Sequence, residues 1–262
     1  MNIVVCVKQV PASNEARMDP VTNTVIRENV ESILNPFDAF AVEEAVRLKA
    51  RCDGSSVMAI SMGVPSAAQM LRGVIAVGID QAMLLTDRAF AGADTWATAN
   101  ALASAIGILP QPDLILCGRM ATDGDTAQVG PMLAEVLDIP HVTDVAEIVE
   151  AGEHSVVVRK LTDDGYQVLQ VPLPALLSVT KEINVPRLPS IAGVLRGAEA
   201  EVQICSAAQL GVDPARVGLA GSVTKVVRTM RPDHRVKSEV LEGSVPEQTR
   251  ALLERLREKK LV

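Results

Sequence analysis

Short aliphatic runs recur through the first 140 residues of this chain, each followed by a segment with helical apolar spacing. Asn2–Val7, Ser56–Ser61, Gln81–Leu85 and Asp113–Cys117 are the runs, and each reads as a buried strand. The helical segments begin at Asn35-Pro36, Pro65, Asp94 and Thr126. Asn35 is a favoured N-cap and Pro36 suits the first helical position. Asp53-Gly54 and Gly78 mark two helix ends. Strands apolar on both faces, alternating with helices, predict a mainly parallel sheet covered by helices, an α/β fold. The interior must be aliphatic, because the chain of 262 residues holds only five aromatic ones: three Phe, one Trp and one Tyr.

The pattern changes near residue 141. Val142–Val149, His154–Leu161, Tyr166–Val171 and Ala175–Thr180 read as strands joined by polar turns, and Met18–Ile26 as a small hairpin excursion. Lys181–Glu201 contains Pro186, Pro189 and Gly193 and shows no periodicity, so it reads as a long loop that is either functional or a linker. Pro246–Lys260 reads as a terminal helix. The net charge of −7 divides unevenly, into −11 over residues 1–224 and +4 over residues 225–262. We therefore divide the chain into an α/β domain, 1–224, and a C-terminal arm, 225–262.

An acidic chain lacks the electrostatic footprint of a nucleic-acid binder, and few aromatics leave little for base stacking. The longest uncharged stretches, Gly54–Leu71 and Trp96–Pro112, contain polar residues, Gly and Pro and make poor membrane spans. Cys6, Cys52, Cys117 and Cys205 are scattered without a CxxC pair, which fits a reducing compartment and suggests no zinc site. No signal-peptide pattern opens the sequence, so a cytoplasmic location is expected.

The feature richest in chemistry is Leu114–Gly130. A strand ends at Cys117-Gly118, a polar loop Asp123-Gly-Asp-Thr-Ala-Gln128 follows, and a helix is expected from Thr126 through Val129 and Gly130. In open α/β sheets ligands sit beyond the carboxyl ends of the strands, and a helix N-terminus there suits a phosphate. Gly124 and Gly130 allow close approach of backbone or ligand, Ala127 leaves room for a diphosphate, Thr126 offers a hydroxyl and Gln128 a polar edge. Asp123 and Asp125 sit awkwardly beside an anion; helix capping or an Asp-x-Asp metal pair would account for them. Other segments fall at the same sheet edge: Cys6-Val7-Lys8, Asn35-Pro36-Phe37-Asp38, Met62-Gly63, and Asp94-Thr95 with Thr98. Each could be ordinary capping; their convergence is the argument. His141, His154 and His234 are isolated, and neither GxSxG nor HExxH occurs. No catalytic residue and no metal site are assigned.

At these residues the sequence resembles the β subunit of electron transfer flavoproteins. The resemblance is carried by Ile3–Pro11, Ile33–Asp38, Ala41–Lys49, Gly118–Pro131, and Val158 through Thr180. It implies an adenine-nucleotide α-hydrolase-like fold and a heterodimer with an α subunit that carries FAD. In the ordinary branch the β subunit holds a structural AMP. In the electron-bifurcating branch a second FAD takes its place, accepts hydride from NADH, and splits electrons between ferredoxin or flavodoxin and a higher-potential acceptor. Val7–Pro11, Ala89–Thr95 and Asp123–Gly130 resemble the bifurcating branch. The resemblance also makes Lys181–Glu201 a recognition loop for an acyl-CoA dehydrogenase-type partner, with Ile191 as the best match to its apolar anchor, Leu188 as the second, and Arg187 beside them. A nucleotide-sensing protein is the alternative of another class. An ATP pyrophosphatase would need a Ser-Gly-Gly-x-Asp-Ser loop, and Lys8-Gln-Val-Pro stands there instead.

Overall fold

The aliphatic runs form the centre of a nine-stranded sheet in a computed structural model of the chain, which describes residues 1–12, 31–227, 238 and 240–262. The proposed excursion at Met18–Ile26 lies outside the described residues. In chain order the elements are β1 Asn2–Cys6, β2 Gln9–Pro11, β3 Ser32–Leu34, α1 Pro36–Arg51, β4 Ser56–Met62, α2 Ala67–Val77, β5 Gln81–Leu85, α3 Thr95–Gly107, β6 Leu114–Gly118 and α4 Val129–Leu137. Next come β7 His141–Ala151, β8 Ser155–Thr162, β9 Gly165–Pro172, β10 Ala175–Val179, α5 Ile191–Glu199, β11 Gln203–Cys205, α6 Ala207–Leu210, α7 Gly218–Gly221 and α8 Val245–Glu258. The chain divides into two compact units, Met1–Val227 and Arg228–Val262.

The sheet order is β11-β5-β4-β1-β6-β10-β7-β8-β9, with β2 and β3 forming a separate antiparallel pair. From β11 to β7 the strands are parallel, whereas β7, β8 and β9 are antiparallel neighbours. β10 follows the antiparallel strands in sequence yet returns between β6 and β7. Leu114, Ile115 and Leu116 of β6 and Ala175, Leu176 and Leu177 of β10 are all buried, as strands covered on both faces must be. One face packs on α1 and α2 through Val5, Ala41, Ala45, Leu71 and Leu116. The other packs on α3 and α4 through Val4, Ile60, Leu102, Ile115 and Leu133. Each fully buried Leu or Ile contributes about 1.5–3 kcal/mol relative to exposure.

The strand expectations hold to within a few residues, but two helices differ. α4 starts at Val129, not Thr126, because Asp125 and Ala127 adopt φ of 49° and 54°, outside the right-handed helical region. The second half of the expected Lys181–Glu201 loop is the helix α5. Ser190 caps it by accepting from the N–H of Gly193, and its two glycines lie against α2. A Cβ on Gly193 would stand 2.2 Å from the carbonyl oxygen of Ala76, and one on Gly197 2.5 Å from that of Arg72. Close contact between two backbones, not helical spacing, places this helix.

Candidate functional site

After β1 the chain crosses through α1 to β4 on one side, while β6, the other neighbour of β1, is reached later. The order therefore reverses between β1 and β6. The crevice beyond their carboxyl ends is where ligands of open α/β sheets bind. Cys6-Val7-Lys8 and Cys117-Gly118 end the two strands there, with Cys6 and Cys117 paired in register.

Side chains of four segments meet at this edge. Lys8 reaches the 118–130 loop, its Nζ 2.6 Å from Asp123 Oδ1. Asn35, 1% exposed, does not cap α1; its Nδ2 donates to the carbonyl of Met120 at 2.8 Å and its Oδ1 accepts from Thr122 N–H at 3.3 Å. Thr95, at the start of α3, donates its hydroxyl to Gln128 Oε1 at 3.3 Å. The loop is thus tied to β1, α1 and α3, while residues 122–128 remain exposed.

Asp38 and the two thiols lie beneath the surface. The Asp38 carboxylate accepts from Lys8 N–H at 2.7 Å and is buried against Gly118. Burial pushes its pKa up to about 7, opposed by hydrogen bonds from Asn35, Lys8 and Gly118. Burial, with Asp38 adding to it, pushes Cys6 to about 12, and Cys117 is raised as well. Burial thus holds both thiols in the neutral form. Val7 is buried too, whereas Pro36 is exposed and Phe37, Met62 and Thr98 are half-buried at the rim. Asp94 caps α3 and accepts from the N–H groups of Ala97, Val223 and Thr224 and from the Thr224 hydroxyl. Those hydrogen bonds hold its pKa below the usual range despite the opposing effect of burial.

The helix-capping account of Asp123 and Asp125 does not hold. The helix starts beyond them, and Asp123 is paired with Lys8 instead. At Gly130 a Cβ would stand 2.9 Å from Cys117 Sγ, so this glycine lets α4 sit close on β6. Gly124 has open space on its Cβ side, while its N–H and that of Asp125 close a turn onto the Ala121 carbonyl. Among the described residues, the N–H groups of Thr126, Ala127, Gln128 and Val129 donate to no protein acceptor, and no side chain caps α4. That run of donors at a helix N-terminus fits a phosphate or diphosphate.

A domain model described as electron transfer flavoprotein domain matches residues 22–210. The chain belongs to the electron transfer flavoprotein family. It is 50% identical to the electron transfer flavoprotein subunit beta of Thermoanaerobacterium thermosaccharolyticum, over the whole of both chains. It is 44% identical to the caffeyl-CoA reductase-Etf complex subunit CarD of Acetobacterium woodii, again over both full lengths. Protein FixA of Azorhizobium caulinodans is 44% identical over 90% of this chain and 86% of its own. Membership makes this an electron-transfer subunit of the β type, and its α/β sheet is the expected architecture.

The contacts that sequence reasoning missed are polar ones. The span from Lys8 to Asp123 covers 115 positions, and Asn35 bonds a backbone 85 positions away. Glu43 and Glu44 on α1 are buried and hold Arg187 and Asn184. The one local signal for them is their place between Ala41-Val42 and Ala45-Val46, inside the apolar face of the helix.

Proposed function

We propose that this chain is the β subunit of a heterodimeric, electron-bifurcating flavoprotein and carries FAD at the β1/β6 crevice. The supporting observation is the run of backbone donors from Thr126 to Val129, at an uncapped helix end. Lys8 neutralises Asp123 beside it and so removes repulsion toward a diphosphate. Asn35 holds the loop from behind. Phe37, Met62 and Thr98 would line the rim, and Thr95 orients Gln128 toward the ligand. When bound, FAD would supply the hydride and single-electron chemistry; the protein would supply position, electrostatics and exclusion of water.

In this reading NADH is the hydride donor. The acceptors are ferredoxin or flavodoxin and, through the α-subunit FAD, an acyl-CoA dehydrogenase-type or quinone-linked partner. The partner docks on the 181–201 segment, where Leu188 and Ile191 are 90% and 85% exposed. Large apolar side chains so exposed mark an interaction surface. The C-terminal arm, 225–262, packs on the α subunit in the cytoplasm. No helix among the described residues is long and apolar enough to cross a membrane.

One observation favours a second reading, a structural AMP. The Asp94 carboxylate closes the α3 N-terminus, leaving the α4 end as the anion site, and one phosphate would satisfy it. Coexpression with the α subunit and extraction of cofactors separates the two. Two FAD and no AMP per heterodimer are expected; one FAD with one AMP would establish the carrier reading instead. Titration with NADH should also bleach the flavin absorbance of the same complex.

A further inference from the structure

The docking segment carries its apolar residues outward and is held by polar ones. Residues 184–190 form no regular secondary structure, and Val185, Leu188 and Ile191 are each more than three-quarters exposed. Side chains so exposed provide no packing to fix the backbone, and an unfixed segment would lose conformational entropy on docking.

Ile191 begins α5, which lies on α2; what fixes residues 184–187 is α1. Arg187 Nε donates to Glu43 Oε2 at 2.8 Å and Arg187 Nη2 to Glu43 Oε1 at 3.0 Å, a two-pronged pair. The backbone N–H of Arg187 donates to the same carboxylate at 3.2 Å. One turn along α1, Arg47 Nε donates to Glu43 Oε1 at 2.6 Å. Asn184 Nδ2 donates to the carbonyl of Phe40 and to Glu44 Oε2. The Glu43 side chain is 3% exposed, and the hydrogen bonds from Arg187 and Arg47 overcome its burial, holding its pKa below the usual range. A buried carboxylate with two guanidinium partners cannot exchange them freely for water. A planar fork also fixes direction as well as distance. The Arg187 charge is therefore engaged from within the chain.

We infer that Glu43 is a positioning residue for partner docking: it grips Arg187 so that Leu188 is presented in a fixed, outward arrangement beside Ile191 at the start of α5. The inference rests on the docking reading above. Glu43 makes no contact with the partner in this account; it acts through Arg187 by lowering the ordering cost of association.

The test uses the intact αβ complex with its flavins. An acyl-CoA dehydrogenase purified from the same organism, reduced by its acyl-CoA substrate, is the probe. Steady-state reduction of the complex gives KM for the complex and kcat, and hydrogen exchange of the complex alone reports on residues 182–190. Glu43→Gln should raise KM about tenfold, leave kcat and flavin content unchanged, and speed exchange in that segment. Arg187→Lys, which keeps the charge but loses the fork, should raise KM less and provides the test if Glu43→Gln does not fold. Ile191→Asp tests the docking surface itself. If Ile191→Asp raises KM while both Glu43→Gln and Arg187→Lys match the wild type in KM and exchange, the positioning role is overturned and docking stands. If Ile191→Asp leaves KM unchanged, the docking reading falls and this inference with it.

Discussion

Asp38 sits where β1, β6 and α1 meet, and burial alone would keep its carboxyl protonated. Its pKa is about 7 in the fold against 3.8 for the ordinary side chain. Between those values the folded chain holds a proton that the unfolded chain has released. This group's contribution to stability is therefore complete below about pH 4 and is lost as pH rises through about 7. Chemical denaturation from about pH 4 to about pH 8 should show Asp38→Asn with a flatter profile than wild type, the difference approaching about 4 kcal/mol at most. Gly118 lies against the same carboxyl. A Cβ there would stand 2.5 Å from Asp38 Oδ1 and 2.6 Å from the backbone carbon of Phe37. Backbone cannot yield as a side-chain tip does, so Gly118→Ala should cost about 1–3 kcal/mol in the denaturation midpoint.

Two helix starts behave oppositely, and the contrast is chemical. α3 begins with Asp94, whose carboxylate satisfies donors at its own N-terminus and in the 223–224 segment. α4 begins with Gln128, which makes no side-chain cap and leaves the N–H groups from Thr126 to Val129 without a protein acceptor among the described residues. Gln128→Glu would bring a carboxylate to that site and repel an anionic ligand. Nucleotide retained per αβ complex after gel filtration should fall several-fold, with the fold intact by circular dichroism. At α5, Gly193→Ala would force the helix away from α2. Hydrogen exchange across residues 191–199 should quicken markedly. Ser190→Ala, which removes only the cap, should cost about 1 kcal/mol in local stability.

At the scale of the molecule, the sheet and its covering helices belong to the Met1–Val227 unit, and α8 buries none of its residues. A chain ending at Val227 should therefore keep a cooperative thermal transition but fail to retain the α subunit in a pull-down. Persistence of the heterodimer would refute the role proposed for the arm. Much of the sheet was legible in the sequence, because strands covered on both faces must be aliphatic, and a five-residue run such as Gln81–Leu85 can do little else. The convergence of Lys8, Asn35, Thr95 and the 118–130 loop was legible only as far as strand ends and helix starts share one sheet edge. The start of α4 was not, since positive φ at Asp125 and Ala127 has no glycine to announce it. Nor was α5, whose glycines lower helix propensity and make sense only against α2. By itself, then, the sequence determined the class of fold, the strand positions and the strand ends and helix starts that share one sheet edge, through periodicity and apolar content. Tertiary structure alone decided which donors lack a protein acceptor, which acids are paired and which helix holds residues 184–187, because hydrogen bonds and ion pairs between residues 30 to 144 positions apart leave no periodic trace.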